Sequence, residues 1–128
     1  LRFAYQPDEG GHYLLVQLLG VAKAMDFLMR NRIVSANEAL DLGLVHEVVE
    51  PAALLERSMA LAQELADGPQ VAMRLLKRAV YNAADMTIHQ SLEDIASRAA
   101  ISDHYPDAIE GRAAFREKRQ PKFNKDLP

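Results

Sequence analysis

Apolar residues recur along most of this chain at intervals of three and four, the spacing that lines one face of an α-helix. Beyond Gly10-Gly11, the residues Leu14, Leu15, Leu18 and Leu19 form such a face, and Gly20 supplies a stop. Ala24, Met25, Leu28 and Met29 then predict a short second helix. Ser35-Ala36-Asn37-Glu38 has capping-box spacing, in which the hydroxyl takes an orphan backbone N–H and the carboxylate reaches back. A helix is therefore expected from about Ser35, ended by Gly43.

The pattern changes at Leu44-Val-His-Glu-Val-Val49, which is short and rich in β-branched residues and is the best strand candidate in the chain. Helical spacing then resumes. Pro51 stands at a first helical position, and Leu55, Met59, Ala62 and Ala66 mark a stripe that breaks at Gly68. Pro69 opens another helix, with Ala72, Leu75, Leu76, Ala79, Val80 and Ala83 on one side. Thr87 and Gln90 give a second capping box ahead of Ile88, Leu92, Ile95 and Ala99, and a last, polar helix is expected from about Pro106 to Lys118. The pattern describes a mainly α chain with one or two short strands. Amphipathic faces specify packing and leave the chemistry open.

Composition narrows the classes. At 128 residues, 49% hydrophobic and 26% charged, the chain has the balance of an ordinary globular domain. The absence of cysteine excludes a disulfide framework, a thiolate metal site and a cysteine nucleophile, and fits a reducing compartment. No apolar run long enough to span a bilayer is expected, nor a secretory start, so a cytoplasmic location without a membrane partner is the expectation. A net charge of −3 argues against nucleic acid as the main partner. The four histidines are too scattered for a ligand set, so no metal is expected.

Three segments go beyond packing. In Tyr5-Gln6-Pro7-Asp8-Glu9-Gly10-Gly11 a proline-fixed turn presents two carboxylates before two glycines that let the backbone turn into a helix. From spacing alone these carboxylates serve either a helix start, favoured by the dipole, or proton transfer in an apolar pocket. The second segment is Asn31-Arg-Ile-Val-Ser-Ala-Asn-Glu-Ala-Leu-Asp-Leu-Gly-Leu-Val-His-Glu-Val-Val49. The third, Asp107-Ala-Ile-Glu-Gly-Arg-Ala-Ala-Phe-Arg-Glu-Lys-Arg-Gln-Pro-Lys-Phe123, ends in a tail made basic by Arg112, Arg116, Arg119, Lys122 and Lys125. Cations near a helix C-terminus also complement the macrodipole, which accounts for most of them. Asp103, Asp107 and Glu110 read as the acidic start of the last helix.

In this order and spacing the three segments resemble the C-terminal part of the crotonase (enoyl-CoA hydratase/isomerase) family. That resemblance implies the end of a β/α spiral core over 1–50, followed over 51–128 by a helical segment that assembles trimers or hexamers. It implies an enzyme acting on acyl-CoA thioesters, by hydration or double-bond isomerisation, with no cofactor beyond the CoA of the substrate. The oxyanion-hole N–H groups and the two glutamates of classical hydratases are expected upstream of Leu1, so the chain alone is expected to be inactive. Asp8 matches an aspartate that moves a proton in family isomerases. Phe115 and Lys118 match positions that reach a neighbouring subunit's CoA, where an ammonium meets a phosphate and a ring covers the adenine or acyl pocket. His12 replaces a threonine usual after the glycines, and Ala4 a frequent glycine. The alternative from another class is a catalytically inactive helical assembly or binding module.

Overall fold

The computed structural model describes residues 4–7 and 9–125. It forms two compact units, Leu1–Leu54 and Leu55–Pro128.

In the first unit, α1 spans Gly11–Met29 and α2 spans Ala36–Asp41. The two helices expected before Met29 are the two halves of α1, and the break falls at Gly20, whose φ of 74° and ψ of 163° interrupt the helix. By length and composition α1 is apolar enough to cross a membrane, contrary to the expectation that no run would be. The interruption changes its meaning: each half rises only about 14 Å, against a hydrocarbon core of about 30 Å, and backbone groups freed at the break would need partners there. Ser35 caps α2 as expected, its hydroxyl accepting the Glu38 N–H at 3.2 Å. The other half of that capping box is redirected, because the Glu38 carboxylate pairs with the Arg32 guanidinium.

Both helices end in the same hydrogen-bonded turn. After α1 the Asn31 N–H donates to Leu28 O and the Arg32 N–H to Phe27 O, each at 3.1 Å, with Asn31 left-handed at φ 50°. After α2 the Gly43 N–H donates to Leu40 O (2.9 Å) and the Leu44 N–H to Ala39 O (2.8 Å), with Gly43 at φ 75°. This is the Schellman pattern, and asparagine and glycine are the residues that adopt its left-handed position at least cost.

The expected strand at 44–49 is not formed: the segment is irregular, and the described residues contain no strand. A β-branched run fits a pleated surface only when a neighbour completes its ladder, and no described segment pairs with this one.

A 3₁₀ turn at Pro51–Ala53 leads into α3, Leu54–Asp67, so Pro51 opens helical structure as expected. In the second unit follow α4 (Gln70–Ala83), α5 (Ile88–Ser102) and α6 (Pro106–Glu117). The capping box at α5 is complete: the Gln90 N–H donates to Thr87 Oγ1 at 3.4 Å, and Gln90 Oε1 accepts the Thr87 N–H at 2.9 Å. α4 packs on α5, while Asp94 and Arg98 pair along α5 through two 2.8 Å bonds.

Among the described residues only Ala24 and Ala114 are buried apolar positions, and no large side chain is fully enclosed. The stripes predicted on α3 and α4 are present but open, with Leu55 74%, Met59 62% and Val80 64% exposed. Helix formation here is legible from periodicity, yet even with α4 packed on α5 much of the apolar surface that periodicity marks stays exposed.

Candidate functional site

The turn that precedes α1 is shaped by its two glycines for different reasons. Gly10 is left-handed at φ 81°, and a Cβ on Gly11 would come within 3.3 Å of Pro7 Cβ, so the helix start approaches the proline ring closely. His12 Nδ1 lies 3.1 Å from Pro7 O, and with its proton on Nδ1 the ring donates there and braces the turn. Ala4, where the family resemblance places a frequent glycine, has φ 59°. That is the conformation a glycine adopts without strain. Asp8 lies outside the described residues, between Pro7 and the exposed Glu9.

Facing this turn is a cleft of about 520 Å³, with Tyr5 and Pro7 on one side and Met25, Phe27, Leu28 and Met29 on the other. Its polar edge is Asn31 and Arg32, both from the Schellman turn that ends α1. Arg32 is held from two sides, by Asp26 at 3.3 Å and by Glu38. Arg30, and then Arg32, keep the Asp26 carboxyl below its ordinary range. This network escaped the sequence reading because Arg32 lies six residues from each of its carboxylate partners and outside helical register with them.

The C-terminal candidates stand in the second unit. Phe115 is 86% exposed on α6. Lys118 follows the last turn, and it too occupies the left-handed position of a Schellman turn, at φ 53° and ψ 38°. Its N–H donates to Phe115 O (3.3 Å) and the Arg119 N–H to Ala114 O (3.1 Å). The structure thus places Phe115 and Lys118 together, one turn apart at the end of α6. Asp8 belongs to the other unit, and the position of its carboxylate relative to them is outside the description.

Past Lys118 the chain doubles back along α6. Arg119 grips Glu110 with two bonds, 2.6 and 3.0 Å, and Glu110 Oε1 also accepts the Lys122 N–H at 2.8 Å. Arg119 Nε adds a 2.6 Å bond to Glu117. These donors, Arg119 first and the Lys122 N–H second, hold the Glu110 carboxyl at about 2. The Phe123 ring lies over Gly111, and the Asn124 N–H donates to Asp107 Oδ1 at 2.8 Å. The Asn124 side chain then reaches the α3–α4 junction, accepting the Gln70 N–H (3.1 Å) and donating to Gly68 O (2.9 Å).

Two readings of the tail are corrected by this geometry. Asp107 does lie in the first turn of α6, but its carboxylate is buried and receives a backbone N–H from the returning chain. Glu110 and Arg119 form a clasp, where the sequence suggested an acidic helix start and a cation complementing the dipole.

A family model described as enoyl-CoA hydratase/isomerase matches residues 1–126. The chain belongs to this family. Within the enoyl-CoA hydratase/isomerase family it is similar to carnitinyl-CoA dehydratase of Escherichia coli, at 36% identity over 121 residues, covering 90% of the chain and 46% of that relative. Among solved structures it resembles an enoyl-CoA hydratase subunit I of Geobacillus kaustophilus, with TM-score 0.91, 36% identity, and coverage of 96% of this chain and 48% of that one. It also resembles an enoyl-CoA hydratase of Bacillus anthracis, with TM-score 0.90, 34% identity, and coverage of 95% and 47%. The chain therefore has the C-terminal part of the crotonase fold and spans just under half the length of the relatives it matches.

Proposed function

We propose that the intact protein acts on acyl-CoA thioesters, hydrating a 2-enoyl-CoA or shifting its double bond. The observation that carries this reading is the apolar cleft beside the Pro7 turn, where methionine, leucine and phenylalanine side chains can take an acyl chain. Both reactions pass through an enolate-like species. Hydration adds water oxygen at C3 and a proton at C2, whereas isomerisation of the 2-enoyl ester removes a proton at C4 and returns one at C2, the reverse steps converting a 3-enoyl ester. Asp8 is the group we assign to proton transfer, and an apolar surrounding raises a carboxyl towards the range such a role requires. A relative named as a dehydratase fits the same chemistry, since dehydration reverses hydration.

In this reading Lys118 meets a phosphate of CoA and Phe115 covers the adenine or acyl pocket, both offered to a neighbouring subunit of a cytoplasmic trimer or hexamer. No cofactor beyond the CoA of the substrate is assigned. The open stripes on α3 and α4 also suit a second reading, an assembly module without catalysis.

The deciding experiment is turnover of the intact protein carrying Asp8→Asn on 2-enoyl and 3-enoyl CoA esters, with Glu9→Gln as control. Asparagine keeps the shape but cannot accept and return a proton, so a loss of ~100-fold or more is expected with binding retained. Near-normal rates on both esters would make Asp8 a helix-start residue. An intact wild-type protein inert on every ester would favour the assembly module.

A further inference from the structure

The Schellman turn recurs at the ends of α1, α2 and α6, with Asn31, Gly43 and Lys118 at its left-handed position. Asparagine and glycine suit that conformation. Lysine does not, since its Cβ crowds the following carbonyl, and a residue so placed persists only where its surroundings over-determine it. What surrounds Lys118 is the clasp. Glu110, with a side chain only 16% exposed, takes the two guanidinium bonds of Arg119 and the Lys122 N–H, so one carboxylate fixes both the residue after Lys118 and the start of the returning tail. The Lys118 side chain stays exposed at the apex of the reversal, its ammonium without a hydrogen bond or ion pair among the described residues.

The geometry points to Glu110 as a positioning residue for CoA recognition: through Arg119 and the Lys122 N–H it holds the left-handed turn from which the Lys118 side chain leaves, one turn past Phe115. The inference rests on the acyl-CoA reading above and deepens it. Glu110 touches no substrate. Its contribution is preorganisation of the backbone, because a turn already held at Lys118 loses less freedom when the ammonium meets a phosphate.

The test is steady-state kinetics of the intact enzyme with Glu110→Gln. Two substrates are compared, an enoyl-CoA and the matching enoyl-pantetheine, which carries the thioester but ends before the nucleotide. Glutamine still accepts the Lys122 N–H but loses the charge and the second acceptor oxygen that make the two-bond ion pair with the guanidinium. We expect KM for the CoA ester to rise about five-fold, the scale of one immobilised long side chain, with kcat little changed and the pantetheine ester unaffected. Lys118→Ala, run alongside, should raise the CoA-ester KM at least as much. In the double variant the effects should overlap rather than multiply, since Glu110 acts through Lys118. If Lys118→Ala raises KM and Glu110→Gln does not, the positioning role is wrong while the acyl-CoA reading stands. If neither variant distinguishes the two substrates, Lys118 does not contact the nucleotide, and that contact and the positioning role both fall while turnover of the ester keeps the acyl-CoA reading. Should Glu110→Gln fail to fold, Arg119→Gln breaks the same pair from the other side and leaves the Lys122 bond to Glu110 intact, with the same outcomes deciding.

Discussion

Lys118→Gly should stabilise the protein while weakening its affinity for CoA esters. Lys118 sits at φ 53° and ψ 38°, where a Cβ costs about 1–2 kcal/mol in strain. Glycine removes that strain but adds freedom to the unfolded chain, which returns about 0.4–1 kcal/mol. The ammonium also interacts with the helix dipole, so the informative comparison is between Lys118→Gly and Lys118→Ala, both of which lack it. The glycine variant should be the more stable by about 0.5–1 kcal/mol, read as a higher urea midpoint at unchanged slope. Gly43→Ala supplies the mirror image. Gly43 occupies the same turn position at φ 75°, and an added Cβ meets nothing within 4 Å, so its cost is backbone strain alone and should be of similar size with the opposite sign. Affinity for CoA esters should fall in both Lys118 variants. If Gly43→Ala is destabilising and Lys118→Gly is no more stable than Lys118→Ala, Lys118 is not held left-handed in solution and the argument from strain fails.

Three further outcomes are expected. Thr87→Ala removes the α5 capping box and should cost about 1 kcal/mol in urea unfolding, with no change in slope. Glu110 is held at about 2, below its ordinary 4.5, so the clasp's contribution is complete above about 4.5 and is lost as the pH falls towards 2. The stability difference between wild type and Glu110→Gln should therefore narrow across that window, and a constant difference would remove the charge pair from the account. Light scattering should show self-association, because Leu55, Met59, Leu76 and Val80 leave apolar stripes uncovered, and a well-folded monomer at high concentration would count against it.

The helices were legible because their signals are local. The breaks at Gly20, Gly43 and Gly68 and the caps at Ser35 and Thr87 each act within a few residues of the sequence that encodes them. The expected strand at 44–49 failed for the opposite reason, since a ladder needs a partner that composition cannot name. In the site, the glycine pair before α1 announced a tight turn, and Gly10 and Gly11 form one. The clasp gave no such sign. Glu110 and Arg119 stand nine residues apart, and Asp107 and Asn124 seventeen, spacings that match neither helical nor strand register. They meet only because the chain reverses at Lys118, and lysine is not a residue from which a left-handed turn is read.

That difference between local and distant encoding separates the three Schellman turns. At Asn31 and Gly43 the residue itself tolerates the conformation, so the turn would survive changes in its neighbours. At Lys118 the tolerance is supplied by Glu110, Arg119 and the tail beyond them, and the tail is anchored in turn by Asn124, left-handed at φ 65°, on the α3–α4 junction. The tail beyond Lys118 is thus tied to a buried carboxylate at Asp107 and to backbone groups at Gly68 and Gln70. A glycine at 118 would have made the turn easy and left nothing to aim. A lysine there makes the turn depend on the tail, and it places a cation-bearing residue one turn past the exposed Phe115.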